Sequence, residues 1–311
     1  MKKNIVIGTR GSALALWQAR WVQSRLKANY PDVDVDLQII KTKGDKILDV
    51  PLAQIGGKGL FVKEIETALL GKEIDLAVHS VKDMPSELPE GLCLGAVTKR
   101  ENPLDVIISR KDLMLKDMGN NARIGTSSVR RSSQILNLFP DFTIVPIRGN
   151  VDTRLKKLES EKLDAIILAA AGVIRLGFEE RITQFMDIES LIPAVGQGAL
   201  GIEIRDDDVD MMSAMSHLND PSTHVAIIAE RAFLRQLEGG CQVPVAAHAV
   251  IDSHETIRLQ GMIAALTGNP MIRHEMSGKA TQAEAIGKAL AKKLLEQGGE
   301  QILNQISSCA E

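Results

Sequence analysis

Five arginines, Arg123, Arg130, Arg131, Arg148 and Arg154, fall within 32 residues that hold no lysine and only two acidic residues, Asp141 and Asp152. Guanidinium is the side chain suited to bidentate recognition of carboxylate or phosphate, whereas a solvated helix face normally mixes lysine, glutamate and arginine. The segment therefore reads as an anion site. Arg10 follows a second candidate of the same kind. Gly8-Thr9 and Gly125-Thr126-Ser127-Ser128 both sit where a strand signal passes into a helix signal, so each offers free backbone N–H groups and small hydroxyls to an anion. Plain helix capping is the ordinary alternative.

Two further stretches carry reactive groups. In His79-Ser80-Val81-Lys82-Asp83-Met84-Pro85 an apolar strand signal runs out and Pro85 stops regular continuation, so the loop presents its side chains at a strand end. Asp83 beside a basic site could act as acid, base or counter-ion to a cationic intermediate; capping a turn is the competing role. Cys241 lies on the Gly239-Gly240 turn after a helix signal, presented rather than packed, where a thiol could be a nucleophile or a covalent attachment point. Cys93, between Leu92 and Leu94, has the surroundings of a structural cysteine, and Cys309 lies near the polar C-terminus.

Other patterns fail on context. Gly196-Gln197-Gly198-Ala199-Leu200-Gly201 matches the dinucleotide fingerprint, but Ile202-Glu203-Ile204-Arg205 after it alternates like a strand, where a nucleotide site needs a helix. Ile55-Gly56-Gly57-Lys58-Gly59-Leu60-Phe61 lacks P-loop spacing and reads as a mobile loop. The six histidines, His79, His217, His224, His248, His254 and His274, show no metal-ligand spacing, so no metal is expected.

These residues need elements to position them. Short apolar runs at Ile5 to Ile7, Val33 to Ile39, Leu76 to Val78, Leu92 to Val97, Val106 to Ile108, Ile144 to Ile147 and Ala165 to Leu168 alternate with amphipathic stretches such as Leu14 to Leu26, Leu60 to Leu70, Ser132 to Leu138 and Val151 to Leu158. That alternation predicts an α/β protein with mainly parallel sheets. The order repeats. Ile7-Gly8-Thr9 is echoed by Ile124-Gly125-Thr126, and Glu73-Ile74-Asp75-Leu76 by Lys162-Leu163-Asp164-Ala165, which predicts two similar lobes with a ligand between them. From about Pro221 a helix over Ala226 to Leu237, β-like segments and a last helix near Ala283 to Leu295 predict a separate α+β domain.

Composition bounds the partners. The 311 residues suffice for two or three domains, and 37 Lys plus Arg against 40 Asp plus Glu give a net charge of −3 with only nine aromatic residues, which argues against nucleic acid and anionic membranes. Three scattered cysteines fit a reducing compartment. The N-terminal apolar run breaks at Thr9-Arg10-Gly11, short of a signal peptide, and no stretch is long enough to span a bilayer, so a cytoplasmic location is expected.

Taken together the motifs resemble the porphobilinogen deaminase (hydroxymethylbilane synthase) family. The matching pieces are Thr9-Arg10 with Leu14-Ala15, Gly56-Gly57-Lys58-Gly59-Leu60-Phe61, Val78 to Pro85, Gly125 to Arg131, Arg148-Gly149-Asn150 with Thr153-Arg154, Ala194-Val195-Gly196-Gln197-Gly198-Ala199 and Glu238-Gly239-Gly240-Cys241. The resemblance implies two lobes like those of periplasmic binding proteins around a cleft, over residues 1–99 with 200–217 and over 104–193, plus a small α+β domain over 220–311. It implies a dipyrromethane cofactor held covalently by Cys241, onto which four porphobilinogen molecules are condensed with loss of ammonia. It also implies that hydroxymethylbilane passes to uroporphyrinogen III synthase, and that the chain is a monomer. By position, Asp83 resembles the catalytic acid. Arg10, Ser80, Lys82, Thr126, Ser127, Ser128, Arg130, Arg131, Arg148, Arg154 and Arg175 resemble the groups that hold cofactor and substrate. Gln54 departs from the lysine usual in the family, which puts a binding role for that position in doubt. The competing readings are a two-lobed solute-binding or effector-sensing protein, which leaves Cys241 unexplained, and a nucleotide-dependent oxidoreductase resting on Gly196 to Gly201 alone.

Overall fold

Alternating burial in Asn4–Thr9, with Ile5 and Ile7 fully buried, makes this segment a core strand, and in the computed structural model it is β1. The structure describes residues 2–46, 62–237 and 243–308. They divide into two compact units, one of residues 2–46, 62–101 and 198–224, the other of 102–197 and 225–308.

In the first unit β1 is flanked in parallel by β2 (Asp34–Ile39) and β3 (Leu76–Ser80), and helix α1 (Ala13–Asn29) follows β1. The sheet is completed by β10 (Leu200–Arg205), antiparallel to β3, and β4 (Leu92–Val97), giving the order β2-β1-β3-β10-β4. The second unit repeats this plan. There β6 (Arg123–Gly125) lies parallel to β7 (Thr143–Val145) and β8 (Ala165–Ala169), then come β5 (Asp105–Ser109), antiparallel to β8, and β9 (Gln184–Phe185), in the order β7-β6-β8-β5-β9.

The sequence echo has a physical basis in one repeated contact. Asp75, just before β3, accepts the Val6 N–H of β1 at 2.9 Å, and Asp164, just before β8, accepts the Arg123 N–H of β6 at 2.9 Å. Each carboxylate locks the register of one parallel strand on the next.

The α/β class expected from the sequence is what the structure shows, but the sheets are mixed rather than mainly parallel. β10 and β5 each follow directly where the chain passes from one unit to the other, so neither is bound by the helical crossover that makes strands parallel. The fingerprint-like Gly196 to Gly201 runs straight into β10, as the alternation of Ile202 to Arg205 indicated.

The C-terminal residues form the antiparallel sheet β11 (Val245–Ile251), β12 (Thr256–Ala264) and β13 (Met271–Lys279). Its core packs Phe233, Leu259, Leu290 and Leu294 together. The long helix before the sheet starts five residues earlier than its apolar periodicity suggests, at Pro221–Gln236. Proline suits the first helical position, and the Asp220 carboxylate caps the Thr223 N–H at 2.8 Å. No helix among the described residues is long and apolar enough to cross a membrane.

One turn in the first unit admits only glycine. Gly198 has φ +91°, and a Cβ there would meet the Glu101 carbonyl oxygen at 2.4 Å. Gly198→Ala should cost about 2 kcal/mol or more in chemical unfolding, while Gly119→Ala, where a Cβ meets nothing within 4 Å, leaves stability unchanged.

Candidate active site

Parallel strands deliver loop residues at their carboxyl ends, and in the second unit those ends gather most of the expected anion-binding groups. Thr126, Ser127 and Ser128 join β6 to helix α4 (Val129–Leu138), where numbering also counts the short helices Lys43–Lys46 (α2) and Lys63–Leu70 (α3). Arg148 lies in the turn after β7, Arg154 on Val151–Ser160 (α5) and Arg175 at the end of Ala170–Arg175 (α6); all three are half-buried. The Thr126 N–H donates to the Val145 carbonyl at 3.0 Å and the Ser127 hydroxyl to the Ile147 carbonyl at 2.8 Å, which draws the β6 and β7 loops together.

Simple capping does not account for Ser128. It occupies the N-cap position of α4, yet its side chain caps nothing, and the Ser128 N–H is instead taken by the Thr126 hydroxyl at 3.2 Å. The first-unit counterpart does cap: Ser12 accepts the Ala15 N–H at 3.3 Å at the start of α1.

Arg130 and Arg131 are buried around one carboxylate. Asp105, fully buried at the head of β5, accepts Arg130 Nη1 at 2.7 Å, Arg131 Nε at 3.0 Å and Arg131 Nη2 at 2.7 Å. Backbone carbonyls take part of what remains, Ile192 from Arg130 Nη1 at 2.8 Å and Ile167 from Arg131 Nη1 at 3.0 Å. Burial alone would raise the Asp105 pKa, but the two guanidiniums override it and hold the carboxyl well below the usual carboxylate range. Burial also pulls Arg130 below its ordinary value against the pull of Asp105. Two guanidiniums against one carboxylate leave one positive charge uncompensated, and Arg130 Nε and Nη2 take no partner among the described residues. Arg123 is placed elsewhere, its exposed guanidinium on the Glu161 and Lys162 carbonyls.

In the first unit, Arg10 follows β1, Ser80 ends the neighbouring β3 and Lys82 and Asp83 follow it, so all four share one sheet edge. Ser80 Oγ accepts Gln18 Nε2 of α1 at 2.8 Å. Val81–Asp83 forms a 3-10 turn whose Val81 N–H is held by the Ala199 carbonyl at 3.0 Å. Asp83 is exposed and accepts no hydrogen bond among the described residues, so it is not the turn cap that its position allowed. Cys93 lies half-buried in β4 as a structural thiol would. Cys241, Cys309, Gln54 and the glycine-rich loop at residues 55–61 lie outside the described residues. Among the described residues no three His, Cys, Asp or Glu side chains are grouped to hold a metal ion.

Sequence reasoning missed Asp105, which looks like ordinary punctuation before the apolar run Val106 to Ile108. It also missed a buried cluster behind β3, in which His79 Nε2 stands 3.0 Å from Glu203 Oε2 of β10, out of hydrogen-bonding alignment. Glu66 of α3 completes the cluster.

Two sheets of one plan, each carrying arginine and hydroxyl groups at its carboxyl edge, define an α/β protein of two similar sheets. Residues 5–213 match the family described as "Porphobilinogen deaminase, dipyromethane cofactor binding domain" and residues 224–296 "Porphobilinogen deaminase, C-terminal domain". Proteins named porphobilinogen deaminase from Pelobacter propionicus and Trichlorobacter lovleyi are 53% and 54% identical over 304 residues, covering 98% of this chain and 97% of each of theirs. That of Desulforamulus reducens is 49% identical over 306 residues, 98% of this chain and 99% of its own. Among solved structures, an amino-acid ABC transporter extracellular-binding protein of Bacillus subtilis aligns with TM-score 0.44 and 12% identity over 73% of this chain and 96% of its own. The chain belongs to the porphobilinogen deaminase family.

The Glu66 cluster makes stability depend on pH. Burial and the neighbouring Glu203 push the Glu66 pKa up to about 7, against the opposing pull of His79 and Lys63. The folded state therefore favours protonated Glu66, a contribution present below about pH 4.5 and lost as pH rises through 7. Glu66→Gln should match the parent at pH 5 and exceed it at pH 8 by up to about 3 kcal/mol in chemical unfolding. An equal difference at both values would contradict this.

Proposed function

We infer that the chain deaminates porphobilinogen and condenses four molecules of it head-to-tail onto a dipyrromethane primer, releasing hydroxymethylbilane and ammonia for tetrapyrrole biosynthesis. The observation that carries the assignment, beside family membership, is the buried Asp105–Arg130–Arg131 cluster with its uncompensated positive charge and the open Nε/Nη2 edge of Arg130. Each pyrrole of the primer and of the growing chain bears an acetate and a propionate, so the ligand is a polycarboxylate, and this donor set fits it. Charge-assisted hydrogen bonds contribute about 1.5–3 kcal/mol each, enough to fix register along a chain of carboxylates.

When bound, the dipyrromethane supplies the pyrrole carbon to which the first substrate is joined. Arg130, Arg131, Arg148, Arg154 and Arg175 hold carboxylates of cofactor and product, with the Thr126 and Ser128 hydroxyls donating beside them while Ser127 keeps the β6 and β7 loops together. Arg10, Ser80 and Lys82 hold substrate near Asp83. As ammonia leaves the aminomethyl carbon of porphobilinogen, positive charge spreads onto its pyrrole ring, and an exposed, unpartnered carboxylate such as Asp83 can stabilise that charge. The aminomethyl nitrogen, itself protonated at neutral pH, leaves as ammonia, and the carboxylate can then accept the proton lost from the carbon that forms the new bond. Cys241 is the attachment point, supported by its place on a double-glycine turn and by its match to the family motif.

The domain division that fits this reading is 1–99 with 200–217, 104–193, and 220–311, supported by the separate sheets in each segment. Scattered cysteines support a cytoplasmic enzyme. The chain acts as a monomer that passes hydroxymethylbilane to uroporphyrinogen III synthase, a handover favoured by the reactivity of the open-chain product.

Intact-mass spectrometry tests attachment: the parent, Cys93→Ser and Cys309→Ser should each carry the mass of two linked pyrroles, and Cys241→Ser should lack it. An adduct on Cys241→Ser would move the attachment point. Asp83→Asn should retain the adduct while its turnover falls about 100-fold or more; near-normal turnover would remove Asp83 from catalysis.

A further inference from the structure

The Gly196-Gln197-Gly198 motif leads into a strand rather than a helix and has a use of its own. Gly196 and Gly198 take φ values of +74° and +91°, a pair of left-handed residues that ordinary side chains avoid. Between them Gln197 is 1% exposed. Its Nε2 donates to the Pro103 carbonyl at 2.7 Å and to Asp105 Oδ1 at 2.9 Å. Pro103 and Gln197 belong to two of the segments through which the chain passes between the units, at the boundaries 101/102 and 197/198. One amide therefore ties both passages together and makes the fourth hydrogen bond to the carboxylate that holds Arg130 and Arg131.

Its effect on Asp105 is directional. Oδ1 receives Arg131 Nε, Arg131 Nη2 and Gln197 Nε2, whereas Oδ2 receives only Arg130 Nη1. Without Gln197 the carboxylate plane can turn about its side-chain bond, and the Nε/Nη2 edge of Arg130 turns with it. The neighbouring residue is fixed as well. The Gly196 N–H donates to Glu230 Oε2 at 2.7 Å, and Glu230 Oε1 accepts the Ala249 N–H at 2.8 Å. Glu230 lies on the helix Pro221–Gln236. Hydrogen bonds at residues 196 and 197, joined by their peptide bond, thus link that helix to the arginine pair.

We propose that Gln197 is a positioning residue that makes the aim of Arg130 and Arg131 at substrate carboxylates conditional on the geometry of the two chain passages. This rests on the assignment of the arginines to cofactor and substrate made above. Gln197 touches no reacting atom and acts through Asp105.

Steady-state kinetics on the cofactor-loaded full chain test this, with loading checked by intact mass. Gln197→Met, close to isosteric but without donors, should keep the two-pyrrole adduct, raise KM for porphobilinogen about tenfold and leave kcat within about threefold, in keeping with one lost hydrogen bond to a charged group. Gln197→Asn, one carbon short of reaching both acceptors, is the milder variant for the case in which Met prevents folding, and should raise KM in the same direction. Because both act through one carboxylate, Gln197→Met and Asp105→Asn together should raise KM by less than the product of their separate effects. A folded, loaded variant with unchanged KM, or multiplicative effects in the double variant, would overturn the proposal alone. A parent protein with neither the adduct nor turnover would overturn the functional assignment beneath it.

Discussion

Two guanidiniums buried around a single carboxylate dominate the second unit. A charge removed from water is tolerated only when paired, and Asp105 pairs two at once, leaving an excess of one positive charge in a setting where water screens poorly. Such an arrangement is unfavourable for stability alone, since apolar residues of similar volume pack as well without the desolvation penalty. It becomes useful when an anion completes it. In the function proposed above, the open edge of Arg130 and the uncommitted Ser128 hydroxyl receive a substrate carboxylate.

The sheets explain why these groups converge. Parallel neighbours β6, β7 and β8 end at one edge, and β1 with β3 does the same in the first unit, so residues distant in sequence become adjacent without long loops. The strands that follow the passages at 101/102 and 197/198 enter antiparallel, and Asp105 heads one of these, β5. The carboxylate that organises the arginines is therefore placed at the point where the chain enters the second unit. The arginine cluster and the chain passages meet at residues 103–105 and 196–198.

Much of this was legible beforehand. The doubled strand–turn–helix pattern and the strand after Gly198 are local signals, and each matches what the structure shows; of the arginines from Arg123 to Arg154, Arg130 and Arg131 share one carboxylate while Arg123 lies elsewhere. What escaped depends on contacts between residues far apart in sequence. Asp105 bonds partners 25, 26 and 92 positions away, and no spacing rule announces that an aspartate ahead of Val106 will be buried with two arginines. Glu66, His79 and Glu203 come from three elements whose apolar neighbours mask them as ordinary core segments. The sheets' mixed direction escaped for a related reason, because short apolar runs carry no sign of which way a strand will run.

We propose that Asp105 serves by aiming its arginines rather than by setting the charge of the site. The Michaelis constant of folded, cofactor-loaded Asp105→Asn for porphobilinogen tests it most directly, because that substitution makes the cluster more positive while removing its organiser. Aiming predicts a KM raised about tenfold or more despite the added positive charge. A KM equal to or below that of the parent would show that net charge alone draws in the substrate, and would contradict the account.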